Sequence, residues 1–257
     1  MIPRRLICAT PAAAILLISA GCAQSAPQRL TASPSTLPAI LAAAGDGDVV
    51  VLAKGEYQDV AIKNRTFEKP LTIDARAATV FGFRTTNVDG LKVIGGEYRL
   101  PPPTTNAKTG KVGYHQAVRF DRSRNVTLTA ATVKGTATVP GAPQDAYGEG
   151  IGTLVYQSEN VEVSDSQYSG LKTGISVGRT EGFRFLRNTF SFQRSDGIGL
   201  TDARDSIVRN NKIRTYPGAE YRASIAIRGK GSVQRCGNVV APGVGKSGDK
   251  DPPCSNR

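Results

Sequence analysis

The chain has no tryptophan, a single histidine and a single methionine in 257 residues. One imidazole, His115, cannot assemble a histidine-based zinc centre, and no zinc motif, phosphate loop or convincing Ser-His-Asp set is present. Aromatic residues are scarce at 6%, whereas 28 glycines and 15 prolines punctuate the chain. That balance argues against a helical bundle and for many turns between short strands. The apolar run from Ala12 to Ala20 is too short to span a bilayer comfortably. Acidic residues are the scarcer charge, 21 against 33 basic ones, for a net +12.

Cysteine is scarce as well. Of four, Cys8 and Cys22 lie in the N-terminal stretch, leaving Cys236 and Cys254, eighteen residues apart. Two such cysteines in an oxidising compartment read as one disulfide that pins the polar tail from Ala241 to Arg257 onto the last structured turn. The N-terminal stretch itself reads as a signal. Arg4 and Arg5 precede the apolar run, and Ser19-Ala20-Gly21-Cys22 follows it. This has the form of a lipoprotein signal with Cys22 as the lipidated residue, although Ser19 stands where Leu is usual. Simple cleavage, for example after Ala23, is the competing reading. Both make the mature chain extracytoplasmic, in the periplasm, on the outer membrane or secreted. Without residues 1–22 the chain keeps a net charge of about +10. Outside the cytoplasm the matching polyanions are acidic polysaccharides and lipid headgroups, not nucleic acid; the blander reading is solubility or envelope adhesion.

What the chain does have is a repeat. Val93, Leu128, Val163, Phe185 and Val208 are separated by 35, 35, 22 and 23 residues. Tyr98, Val133, Tyr168, Phe190 and Ile213 follow the same steps. A third column runs Ile151, Ile175, Ile198, Ile225, with Thr153, Val177, Leu200 and Ile227 two residues on. Period-two alternation points these columns inward and Gly152, Ser176, Gly199 and Ala226 outward. Coils of about 22 residues, each unable to bury its apolar side alone, describe a parallel β-helix. A step of 35 is one coil plus a loop of about 13 residues. Ser166, Asn188 and Asn211 fall on matching turn positions, as an internal side-chain ladder requires.

The expected fold is all-β, a short right-handed parallel β-helix of about seven coils with an N-terminal α-helical cap. Residues 1–22 are the signal, 23–34 a linker, 35–235 the β-helix and 236–257 the disulfide-tied tail. The cap is the amphipathic stretch Ser35 to Ala44, with Ser35 as N-cap, Pro38 in the first turn and Gly45 ending it. Strands are expected at Asp48–Leu52 and Val60–Lys63.

Leu37-Pro-Ala-Ile-Leu, Gly45-Asp-Gly-Asp-Val-Val-Val-Leu and Lys54-Gly-Glu-Tyr occur in an order that resembles the start of secreted right-handed β-helix proteins. These include the chondroitinase-B-like and alginate-lyase-like polysaccharide lyases and many bacterial β-helix repeat proteins. Asn125-Val-Thr-Leu, Asn160-Val-Glu-Val and Ser195-Asp-Gly-Ile extend the likeness across roughly Leu37 to Gly231. The resemblance is specific for fold and weak for activity. It also has a gap: a His-x-Asp-x-Ile-Gln-like stretch of that group is replaced here by Tyr221-Arg-Ala-Ser-Ile-Ala226.

The resemblance implies chemistry on one outward strand face and its rim. Lys172, Ser195 and Arg222, with Glu149, Thr173 and Asp196, flank one side of the small-residue floor; Arg179, Asp202 and Arg228 flank the other. Insertions at Arg99–His115, Thr136–Gly148 and Thr215–Ala223 carry Tyr114, Tyr147, Tyr216 and Tyr221, fit to stack on sugars or simply tolerated at one corner. A lyase needs a cation on the uronate carboxylate, a base and an acid. Lys172, Arg179, Arg194, Arg222 and Arg228 are candidate cations, and His115, Tyr147 and Tyr221 candidate proton-transfer groups. The catalytic set is taken as His115, Tyr147, Lys172 and Arg222. The substrate-binding set is Tyr114, Glu149, Arg179, Arg194, Asp196, Asp202, Tyr216, Tyr221 and Arg228. A glycosidase pair is disfavoured, since Asp196 and Asp202 sit at opposite ends of one strand, roughly 20 Å apart. Ca²⁺ would draw on Asp145, Glu149 or Asp196, but no loop has dense acidic ligands. Two functions follow: a monomeric envelope protein that binds and β-eliminates an acidic polysaccharide, or a non-catalytic envelope lipoprotein offering a binding or structural surface. The basic groove supports the first and the missing stretch the second.

Overall fold

The computed structural model describes residues 26–102, 115–135, 150–193, 196–215, 225–241 and 249–254. Their strands wind into a parallel β-helix with three strand faces and three corners per coil. The first face stacks Val60, Phe83, Val118, Thr153, Ile175, Ile198 and Ile225. The second carries the expected column Val93, Leu128, Val163, Phe185, Val208, and the third Tyr98, Val133, Tyr168, Phe190, Ile213. These side chains form one continuous buried core, in which Tyr168 stacks on Phe190 at 4.8 Å.

Corners are made by single residues in the left-handed region. Between the first and second faces stand Asn64, Asn87, Arg122, Gln157, Arg179, Asp202 and Gly229, all at positive φ. These seven stacked corners, among the described residues, match the expected number of coils. Between the second and third faces the series is Gly95, Ala130, Asp165, Arg187, Asn210 and Gly237. Positive φ is costly for most L-residues, so each corner depends on the hydrogen bonds made by its neighbours. The residue after each left-handed corner of the second series turns inward. Asn188, Asn211 and Asn238 are buried there. The Asn188 backbone N–H donates to Asn211 Oδ1 at 2.8 Å, and the Asn211 N–H to Asn238 Oδ1 at 2.9 Å. Ser166 N–H donates to Asn188 Oδ1, and Ala131 N–H to Ser166 Oγ. The expected ladder is therefore present and runs one rung further than its two asparagines and serine.

The third corner is a single left-handed residue in the early coils, Asp59 and then Gly82. In a later coil Gly170, Leu171 and Lys172 stand between the two faces, and residues 103–114, 136–149 and 216–224, which fall between them in sequence in other coils, lie outside the described residues. Their flanks pair in register, Arg99 with Lys134 and His115 with Gly150.

Four expectations change, the first being Ile227, which is exposed and not inward. Thr153, not Ile151, pairs with Ile175, and Leu154, not Gly152, lies beside Ser176. A slip of two residues preserves the face, so alternation alone cannot detect it. Gly152 is buried, and an added Cβ at Gly174 on the next coil would collide with the Phe190 ring. The stretch 23–34 is not all linker: Arg29–Ala32 is a strand paired residue for residue with Val49–Leu52. The helix spans Leu37–Ala43 with Thr36 as N-cap and no side-chain capping bond from Ser35. It packs Leu37, Ile40 and Leu41 on the core, and Arg65 donates to the carbonyls of Leu41 and Ala44. Among the described residues the outermost strand at this end is nonetheless Arg29–Ala32. At the other end Cys236 and Cys254 form the expected disulfide. Asp249–Lys250 pairs antiparallel with Val239–Val240, and Asp251 accepts hydrogen bonds from Arg235 and Asn238.

Two outcomes test this account. Asn211→Ala strands the Asn188 N–H and the Phe185 carbonyl in the core, and denaturant unfolding should show a loss on the order of 3 kcal/mol. Tyr98→Phe removes a buried hydroxyl that has no partner among the described residues and should cost no more than about 1 kcal/mol. Stability should also fall in acid. Backbone N–H donors from Gly45 and Gln28 hold Asp48 below its ordinary 3.8, and Arg76 and Arg187 do the same for Asp74 and Asp165. A depressed carboxylate stabilises fully above 3.8 and loses that contribution as pH falls through its native value. Melting temperature should drop below about pH 4, and Asp48→Asn should lower it at neutral pH while making the acid limb shallower.

Candidate functional site

The corner between the first and second faces builds a groove along the helix axis. In four successive coils a left-handed residue, Arg122, Gln157, Arg179 or Asp202, points out, the next turns in, and the one after points out again. The inward residues are small: Ser123, Ser158, Thr180 and Ala203, all buried. Their hydroxyls are used locally, Ser158 donating to the Tyr156 carbonyl at 2.9 Å and Thr180 to that of Gly178 at 3.1 Å. The outward residues form two rows, Asn87, Arg122, Gln157, Arg179, Asp202 and, beside them, Arg124, Glu159, Glu181, Arg204. Register places Arg124, Glu159, Glu181 and Arg204 in successive rungs of one column. With Lys230 these residues enclose an open groove of about 730 Å³.

Its charges are unevenly engaged. Arg124 donates to Asp89 at 3.0 Å, and Arg122 lies 3.4 Å from Asp121. Asp202 accepts the Lys230 backbone N–H at 3.0 Å, and Arg179 sits 6.0 Å over the Tyr156 ring. Among the described residues, no ion pair engages Arg179, Arg204, Lys230, Glu159 or Glu181. The carboxylates held below their ordinary range, Asp48, Asp74, Glu97 and Asp165, all lie in structural contacts away from the groove.

Of the residues singled out in the sequence, Arg179 and Asp202 are neighbours in the left-handed row and line this groove. Arg228 donates to Asp196 at 2.9 Å, folding across Gly199, so this pair lies on the first face as a salt bridge. His115 and Lys172 belong to one column with Gly150 between them, at the opposite end of that face. Seven residues of extended chain, ~23 Å, separate Lys172 from Arg179. The structure therefore separates the described candidate cations Arg179 and Arg228 from the column that holds His115 and Lys172. Tyr114, Tyr147, Glu149, Arg194, Tyr216, Tyr221, Arg222 and Cys22 lie outside the described residues, as does Asp145. Among the described residues, no three His, Cys, Asp or Glu side chains cluster as a metal site, for Ca²⁺ or any other ion. Arg122, Arg124, Glu159, Glu181, Arg204 and Lys230 were missed. The signal was available: the 35, 22 and 23 steps of the apolar columns, applied to Arg179, lead to Gln157, Arg122 and Asp202.

The fold and groove can now be set beside known proteins. The crystal structure of alginate lyase from Paenibacillus sp. str. FPU-7 aligns with a TM-score of 0.60 and 15% identity, over 82% of this chain and 75% of that one. Pectate lyase Pel9A aligns at 0.35 and 12% over 90% and 82%, and a mannuronic acid specific family 6 lyase from human gut microbiota at 0.28 and 14% over 81% and 77%. At these identities the first supports the shared fold alone, and the two lower scores carry no argument. No curated protein matches. No helix among the described residues is long and apolar enough to cross a membrane. A family model described as "Periplasmic copper-binding protein (NosD)" matches residues 103–238, just over half of the 257. The chain belongs to the NosD family, and its parallel β-helix carries a charged corner groove.

Proposed function

We propose that this protein is a periplasmic or envelope-anchored β-helix that binds an acidic polysaccharide along the corner groove without cleaving it. The observation that carries this reading is the placement of Arg179, Arg204 and Lys230 on successive coils, free of ion pairs among the described residues and open to solvent. Unpaired guanidinium and ammonium groups at rung spacing offer charge-assisted hydrogen bonds to carboxylate or sulfate groups. The periplasmic description of the family supports the location, and the net positive charge supports a polyanionic partner. Lipidation at Cys22, after loss of the residues before it, would hold the protein at the membrane surface.

β-Elimination is the second reading. It is favoured by His115 and Lys172 sharing one column at the corner where the segments carrying Tyr147 and Arg222 leave. Ultraviolet absorbance of unsaturated products, after incubation with alginate, chondroitin, pectate or glucuronan, would establish it.

Copper, named in the family description, finds no cluster of suitable donors among the described residues. Copper favours imidazole, thiolate and thioether ligands. His115 and Met1 are the only histidine and methionine, and of the four cysteines Cys236 and Cys254 are bonded to each other while Cys8 and Cys22 lie in the N-terminal signal-like stretch. No step is assigned to the metal, and copper added to the purified protein should be lost on gel filtration.

Binding is tested by affinity electrophoresis or calorimetry with the same four polymers. The expected result is salt-sensitive binding, weakened roughly tenfold in the triple variant Arg179→Ala, Arg204→Ala, Lys230→Ala. Unchanged binding in that variant, or no binding of any polyanion, would remove this reading.

A further inference from the structure

The groove is not uniformly basic, and its pattern speaks to the spacing of charge on the ligand. Along one column the side chains run Arg124, Glu159, Glu181, Arg204. Two carboxylates on adjacent rungs, about 4.8 Å apart at the backbone, thus occupy the middle of the groove, with a cation at either end of this run of four and Asp89 on the next rung beyond Arg124. The end cations are three rungs apart, ~14 Å. Lys230 adds positive charge beyond Arg204, whose own coil also carries Asp202; Arg122 adds it beside Arg124, and Arg179 stands on the coil of Glu181 in the other outward row.

Glu159 and Glu181 form no ion pair among the described residues, so they are not held as partners of their flanking arginines. Arg124 is instead paired with Asp89. Both carboxylates are exposed in the groove. An ionised carboxylate only accepts hydrogen bonds. The chemical complement of the groove's centre is therefore a run of hydroxyl or amide donors, and that of its ends is negative charge. A sugar residue is comparable in length to a rung. A polymer with one carboxylate on every sugar would press negative charge against Glu159 and Glu181.

Building on the polysaccharide-binding reading, we infer that Glu159 and Glu181 are specificity residues. They select acidic polysaccharides in which neutral sugars separate the charged ones, and they reject homopolymers of uronic acid. The rejection is electrostatic: two unit charges about 5 Å apart in water repel enough to weaken binding roughly fourfold. Selection by an added repulsive element, beside the attraction at the ends, is a common route to discrimination.

The experiment compares hyaluronan oligosaccharides, with one carboxylate per disaccharide, with polygalacturonate oligosaccharides, at equal carboxylate concentration and fixed salt. The wild-type protein should prefer hyaluronan. Glu159→Gln with Glu181→Gln should raise polygalacturonate affinity roughly fourfold per carboxylate removed and leave hyaluronan binding within about twofold. Arg204→Ala should weaken both polymers and keep their ratio. Circular dichroism of each variant checks that the β-helix is intact. Equal or tighter binding of polygalacturonate by the wild type, or a ratio unmoved by the glutamate changes, would overturn the inference while leaving polysaccharide binding in place. Failure of the wild type to bind either polymer would overturn both.

Discussion

Each coil of this protein depends on turning the backbone through the left-handed region at a fixed point. For Arg122, Gln157, Arg179 or Arg187 that conformation has no glycine to ease it. It is held because the coil above and the coil below present the same turn, and their amides and carbonyls close on each other. The buried asparagine ladder, with serine continuing it, then fills the interior of one corner with side-chain acceptors for backbone N–H groups. Strand pairing, core stacking and the groove all inherit their register from these corners. The cooperative unit is the stack and not the coil, as expected for a repeat array.

Much of the fold was legible because apolar side chains recur at steps the eye can follow. The columns through Val163 and Tyr168 needed only the sequence, and so did the disulfide between Cys236 and Cys254. Where contrast between neighbours fades, legibility fades with it. Gly150 and Gly152 give no inward or outward preference, and the coil from Gly150 to Tyr156 was placed two residues out of step. Arg29–Ala32 reads as polar linker by composition, yet it pairs fully with Val49–Leu52. The groove was half visible. Arg179 and Asp202 were noticed as charges beside a strand, but their membership in a turn column was not, because turn residues share a conformation rather than a chemistry. Arginine, glutamine, aspartate and glycine can each occupy the same corner, so no single residue type marks it.

The relation to known proteins separates three levels that are easily merged. The β-helix is shared with an alginate lyase at 15% identity. The family is shared with proteins named for copper and the periplasm. The groove side chains belong to this chain's own sequence, and chemistry follows them. A fold that presents every coil's corner at the same spacing can host a catalyst, a metal carrier or a polymer cradle, depending on which few residues stand in two short rows.

The corner at which the longer segments leave the helix lies a full strand away from the corner that forms the groove. Connections there range from the single residue Gly82 to stretches of a dozen or more, yet Phe83, Val118 and Thr153 stay in step on the face that follows. Length can therefore change at one edge of the triangle without disturbing the rungs at another. Two parts of one small domain are free to diverge separately: one face of the protein can be rebuilt by insertion while the other is tuned by substitution.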